Sequence, residues 1–228
     1  MSRMILLTMG LFISIALSAQ QSYRIGSLPQ FNYNLSLASD WQLNGKVETR
    51  QLWRTGSFGQ GDANGLRYAL TDLSVQAAYK SVDGNTFSAG YLWRVQPDQD
   101  AHRFIQQYSM VRRYARFRLG QRFAADQTLA FGEAAVYRFR YRLGLDLPLN
   151  GERVDPNEWY FKLTHEYLNI LEAAQYDLEI RLSPTFGHAF NDLNKLEVGL
   201  EYRIDRLLIS DPVRHTLFLR ISWYLKKG

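Results

Sequence analysis

The chain has 228 residues, no cysteine, and 27 Lys and Arg against 22 Asp and Glu, for a formal net charge of +5. Without cysteine there is no disulfide framework, thiolate metal site, cysteine nucleophile or lipid-modified cysteine. The basic balance does not point to nucleic acid, because its arginines follow strand alternation and are not gathered in a basic tail or helix.

Residues 1–19 carry the marks of a secretory signal. Arg3 supplies a positive start, 5–17 is a short apolar run, and Leu17, Ser18 and Ala19 offer small residues before Gln20. The run is too short for a comfortable membrane-spanning helix. Cleavage after Ala19 is expected. Beyond it no apolar stretch reaches helical spanning length, so the remainder can cross a bilayer only as a closed β-barrel. Residues 20–40 read as an N-terminal extension or an extra strand, with Phe31, Tyr33, Leu35 and Leu37 on one face.

From residue 41 the chain reads as one all-β domain, 41–228, with strands expected at 41–53, 66–80, 86–94, 102–112, 115–124, 135–147, 158–166, 177–187, 195–205 and 214–226. Asp83-Gly84-Asn85 is a tight hairpin signal, whereas 56–65 is long and glycine-rich. The clearest segment is 135–147. Tyr137, Phe139, Tyr141, Leu143, Leu145 and Leu147 fall on one face, and Arg138, Arg140, Arg142 and Asp146 on the other. A helix would scatter those arginines around its axis.

Alternation alone does not say which face points inward. Three features favour apolar side out. Trp41 and Trp53 share a face, about 40 Å apart along a strand and about 30 Å along a membrane normal after tilting. That span matches an apolar band with its two interfaces, where Trp93, Trp159 and Trp223 are also expected. Glycines (Gly90, Gly120, Gly144, Gly199) sit on the charged faces, which suits a crowded lumen. The signal segment directs the chain to the compartment where outer-membrane barrels are made. The rival is a soluble periplasmic ligand-binding barrel with the apolar side in. The favoured fold is a closed antiparallel up-and-down transmembrane barrel of about ten strands, with twelve as the alternative. An eleventh strand alone puts the two ends of the sheet on opposite sides, which argues for an even number.

Three segments carry a family resemblance: Trp41-Gln-Leu-Asn-Gly-Lys-Val-Glu48-Thr-Arg50, Tyr141-Arg-Leu-Gly-Leu-Asp-Leu-Pro148-Leu, and Leu196-Glu-Val-Gly-Leu-Glu-Tyr202. Over about 41–226 the chain resembles an uncharacterised outer-membrane barrel family of Gram-negative bacteria, catalogued as domain of unknown function 2490. The resemblance implies an exported barrel in the outer membrane, and it implies no activity and no catalytic residues.

The charged faces hold the candidate site. Arg116, Arg118 and Arg122 on one expected strand and Arg138, Arg140 and Arg142 on the next form an arginine wall, with Glu48, Glu179, Glu197 and Glu201 expected across the lumen. Such a strip attracts a small anion in a narrow pore or pocket. Alternatively it plugs the lumen as an ion-pair network, which the narrow bore of about ten strands favours. An outer-membrane lipid hydrolase is the enzymatic alternative. It needs serine beside histidine, and His102, His165, His188 and His215 show no such spacing to Ser109, Ser183 or Ser222. No metal-ligand spacing and no phosphate-cradling loop appear, so neither metal nor cofactor is expected. The expected role is structural or a narrow passage, without catalysis. The expected partners are outer-membrane lipid, the barrel-assembly machinery and periplasmic chaperones.

Overall fold

The computed structural model describes residues 21–59 and 61–227. The expected signal segment 1–19 lies outside them. Among the described residues there is no helix. Eleven strands form one sheet: β1 (Ser22–Ser36), β2 (Trp41–Ser57), β3 (Asp62–Lys80), β4 (Thr86–Val95), β5 (Ala101–Arg113), β6 (Arg118–Ala130), β7 (Val136–Pro148), β8 (Glu158–Glu172), β9 (Gln175–Asn191), β10 (Asn194–Asp205) and β11 (Arg214–Lys227). Each strand pairs with its sequence neighbour, and β1 pairs with β11 to close the barrel. Closure removes the free edges, so the backbone's polar groups are used up in the ladder.

The strand count corrects the sequence expectation of ten or twelve. All ten expected strands are present. The eleventh comes from 20–40, where β1 lies in the wall, so the barrel begins before residue 41. The barrel is also not wholly antiparallel: β1 runs parallel to β11, from Ser22 beside Arg214 to Leu35 beside Lys227. The start of β1 and the end of β11 therefore lie at opposite rims. An even strand number is required only where the two share one rim, and here fourteen consecutive residue pairs make a parallel closure workable.

Local chemistry explains two of the tighter places. Ala173 and Ala174 both have positive φ (46° and 64°) in the two-residue turn between β8 and β9. A turn of this length needs that geometry to match the twist of its strands, and alanine adopts it at a cost of roughly 1 kcal/mol or more per residue. At Gly187 on β9 the ring of Tyr160 lies directly over the backbone, and a Cβ there would come 2.2 Å from the ring. Glycine is what lets Tyr160 fold flat into the lumen.

The two faces differ sharply. Inside, the buried residues include Glu48, Asp72, Asp126, Glu166, Arg203 and Arg220, with only a few apolar ones such as Leu28, Leu168 and Phe218. Outside, large apolar side chains are exposed on every strand, among them Phe31, Val47, Phe87, Phe139, Phe186 and Ile221. The ionic faces thus point inward and the oily faces outward. All five tryptophans lie on the outer surface, each at least 40% exposed. Trp41, Trp159 and Trp223 ring one rim, and Trp53 and Trp93 sit toward the other. The rings are paired: Trp41 with Tyr79 at 5.3 Å and Trp159 with His188 at 4.6 Å between centroids.

Candidate functional site

The inward face encloses a cavity of about 480 Å³ lined from all eleven strands. Thirteen of the lining side chains are Arg or Lys and five are carboxylates. How these charges are arranged differs around the wall.

On β5–β7 the lumen arginines are Arg103, Arg122, Arg138, Arg140 and Arg142. Two carboxylates answer them. Asp126, its side chain fully buried, accepts from Arg138 Nε at 2.7 Å and lies 3.0 Å from Arg140 Nε and 3.4 Å from Arg103 Nε. Glu166 on β8, with its side chain 2% exposed, meets Arg122 at 3.2 Å, Arg142 at 3.0 Å and Arg181 at 3.7 Å. Register creates the need for this sharing. Arg122 and Arg142 stand directly opposite one another on β6 and β7, and like charges so placed repel. Glu166 is the cross-strand partner of both Arg142 and Arg181, so one carboxylate bridges three cations.

On β9–β11 arginines and carboxylates are equal in number. Arg181, Arg203, Arg214 and Arg220 face Glu179, Glu197, Glu201 and Asp205. Glu201 accepts from Arg203 Nε at 2.7 Å and from Arg220 Nη1 at 3.3 Å, while Arg220 also donates to Thr185 at 2.7 Å. Glu179 accepts from Arg181 at 2.7 Å and Asp205 from Arg214 at 3.1 Å. Glu197 pairs with Lys162 and accepts from Tyr160 at 2.9 Å and Tyr224 at 3.2 Å. Across the β1 seam, Ser222 donates to Gln30 at 3.1 Å and Gln30 to Glu48 at 3.0 Å.

The residues expected from sequence divide accordingly. Arg122, Arg138, Arg140 and Arg142 stand together on the inner wall. Arg116 does not: it is exposed in the turn between β5 and β6, because β6 starts only at Arg118. Arg118 pairs with Asp146 near the same rim, half-exposed. Glu48, Glu179, Glu197 and Glu201 do not reach across to the arginine wall for their first partners. Each pairs within its own strand or with nearby strands, as Glu48 does with Arg50 at 2.7 Å and Lys46 at 3.0 Å. The carboxylates that serve the wall are Asp126 and Glu166. Asp126 escapes a sequence reading because Ala124-Ala125-Asp126-Gln127 has no large apolar alternation and passes for a loop. Arg94 and Arg103 are likewise lumen residues, and Arg94 grips Asp72 with two bonds of 2.8 and 2.7 Å.

The serines and histidines lie on opposite sides of the wall. Ser183 and Ser222 are buried on the lumen side, whereas His165 stands in register with Leu143 and Leu182 on the outer side. His215, also on the outer side, lies 2.6 Å from the Tyr202 hydroxyl. Among the described residues no cluster of His, Cys, Asp or Glu has the makings of a metal site. Beyond Trp53, Asp62 is clasped by the Tyr23 hydroxyl and by Arg54, whose Nε lies at 3.0 Å. The hydrogen bonds from Tyr23 and Arg54 hold the Asp62 carboxyl below its ordinary value.

The family described as Protein of unknown function (DUF2490) matches the chain over residues 26–209, from within β1 to just past β10. No curated protein and no solved structure matches it.

Proposed function

The chain belongs to the DUF2490 family, and from that membership and the barrel we propose that it is a non-catalytic outer-membrane protein of a Gram-negative bacterium. The observation that carries this reading is the outer surface. Large apolar side chains are exposed around the whole circumference, including Phe31, Val75, Phe104, Phe139, Phe186 and Val198. A water-facing protein rarely exposes apolar patches beyond a few hundred Å². A hydrocarbon surround removes that cost. Every strand has ten residues or more, the length a tilted strand needs to cross the apolar band, and the tryptophans sit where aromatic girdles belong.

In this reading residues 1–19 export the chain, periplasmic chaperones carry it and the barrel-assembly machinery inserts it. The lumen is closed to free solute flow by its own long side chains, as a barrel of this strand number favours. Its role is structural, with a pocket rather than an open pore. Electrophoretic mobility with and without boiling tests the reading together with fractionation. A folded membrane barrel shifts on boiling and stays in the carbonate-washed membrane. Recovery in the periplasmic fraction with no shift contradicts it.

A further inference from the structure

The cavity is unevenly charged, and the excess of cations is greatest on one wall. The five lumen arginines of β5–β7 meet two carboxylates, both buried behind them. Several of their donors have no work to do. The Nε atoms of Arg122, Arg140 and Arg142 are buried and have no hydrogen-bond partner among the described residues. Arg140 Nε lies 3.0 Å from Asp126 Oδ2 but off the line a hydrogen bond needs. Unpaired buried donors are costly, and a guanidinium cannot shed its charge to escape the cost.

We propose that the β5–β7 wall is a binding site for a phosphate-type oxyanion. A guanidinium presents N–H donors in a planar fork that fits two oxygens of one such group. Arg122, Arg140 and Arg142 alternate across the β6–β7 pair, with Arg122 opposite Arg142 and Ala124 opposite Arg140. The cavity of about 480 Å³ takes inorganic phosphate, pyrophosphate or a small phosphorylated solute. Low-dielectric walls concentrate the field of the unmatched cations into this space. The proposal rests on the closed, ion-lined lumen described above, and it stands or falls separately from the membrane assignment.

The test is titration of the detergent-folded full barrel with inorganic pyrophosphate, read by calorimetry and by phosphorus NMR line width. The wild type binds saturably, and affinity weakens as salt rises. Arg140→Gln leaves Asp126 with Arg138 and Arg103, and Arg122→Gln leaves Glu166 with Arg142 and Arg181. Both variants therefore keep their mobility shift on boiling. Each loses at least about tenfold in affinity, as the loss of one charge-assisted bond requires. Arg118→Gln, at the rim and outside the cavity, binds as the wild type does. Absence of saturable binding in a barrel that still shifts on boiling overturns the proposal, and so does an Arg140→Gln variant of wild-type affinity. Loss of the shift in the wild type, by contrast, strikes the membrane assignment, whereas the anion site is judged by the titration.

Discussion

Two halves of one lumen solve the same electrostatic problem in different ways. On β9–β11 arginines and carboxylates are equal in number, and Arg181, Arg203, Arg214 and Arg220 all find a partner among Glu179, Glu201 and Asp205, within a strand or across to the next. On β5–β7 five arginines crowd around Asp126 and Glu166. A matched lattice of buried ions is costly to assemble but holds its geometry once formed. An unmatched one is left with positive charge to spare. The first half therefore supplies shape, and the second supplies an affinity for something negative.

The sharpest way to break this contrast is to unbalance the matched half. Glu201→Gln leaves Arg203 and Arg220 without their shared charge, and urea unfolding is expected to show a loss of about 3–5 kcal/mol. One residue away, Leu200 is 45% exposed on the outer face. If that face meets acyl chains, Leu200→Arg is expected to cost about 2–4 kcal/mol in bilayers. The same variant is nearly neutral if that face meets water. Gly187→Ala pushes the Tyr160 ring off the backbone and disturbs its bond to Glu197. Overpacking of this kind costs about 1–3 kcal/mol in the same unfolding assay.

The other half responds differently. Arg140→Gln removes one of three cations around Asp126 and relieves repulsion among the rest. Its stability is expected to fall far less than that of Glu201→Gln, because Asp126 keeps Arg103 and Arg138 and no buried charge is left unpaired, although the variant loses pyrophosphate. Equal destabilisation by Arg140→Gln and Glu201→Gln erases the distinction between the halves. The smallest effect belongs to the rim. Asp62 has a lowered pKa in the folded barrel, so its clasp on β1 is fully present above the ordinary carboxylate range and is lost as pH falls through the lowered value. Amide exchange in β1 near Tyr23 is expected to quicken over that interval, while β9–β11 stay protected.

Much of this was legible because a strand's two-residue period writes each face into the sequence. Tyr137 to Leu147 alternate so regularly that the face of Arg138, Arg140 and Arg142 follows directly. Inside and outside were distinguishable through the spacing of Trp41 and Trp53, through the glycines and through the signal segment. The misses have physical reasons. β1 contains Gly26, Ser27 and Pro29, which weaken the strand signal, and a bulge between Ile25 and Gly26 breaks its register. The β8–β9 turn is built from Ala173 and Ala174, residues that favour a helix over a hairpin, so the expected strand 158–166 stops six residues before the end of β8 and 177–187 starts two residues after the start of β9. The sharing of Asp126 and Glu166 among six arginines depends on which residues lie opposite across strands, and alternation within one strand does not carry that information.

The most direct test of the central claim, that the oily outer wall lies in hydrocarbon and the ions face the axis, is tryptophan quenching by brominated acyl chains. All five tryptophans are on the outer surface. In vesicles of brominated lipid the account predicts strong quenching of the folded barrel, insensitive to an aqueous quencher such as iodide. Unquenched fluorescence in those vesicles, with full access to iodide, contradicts it.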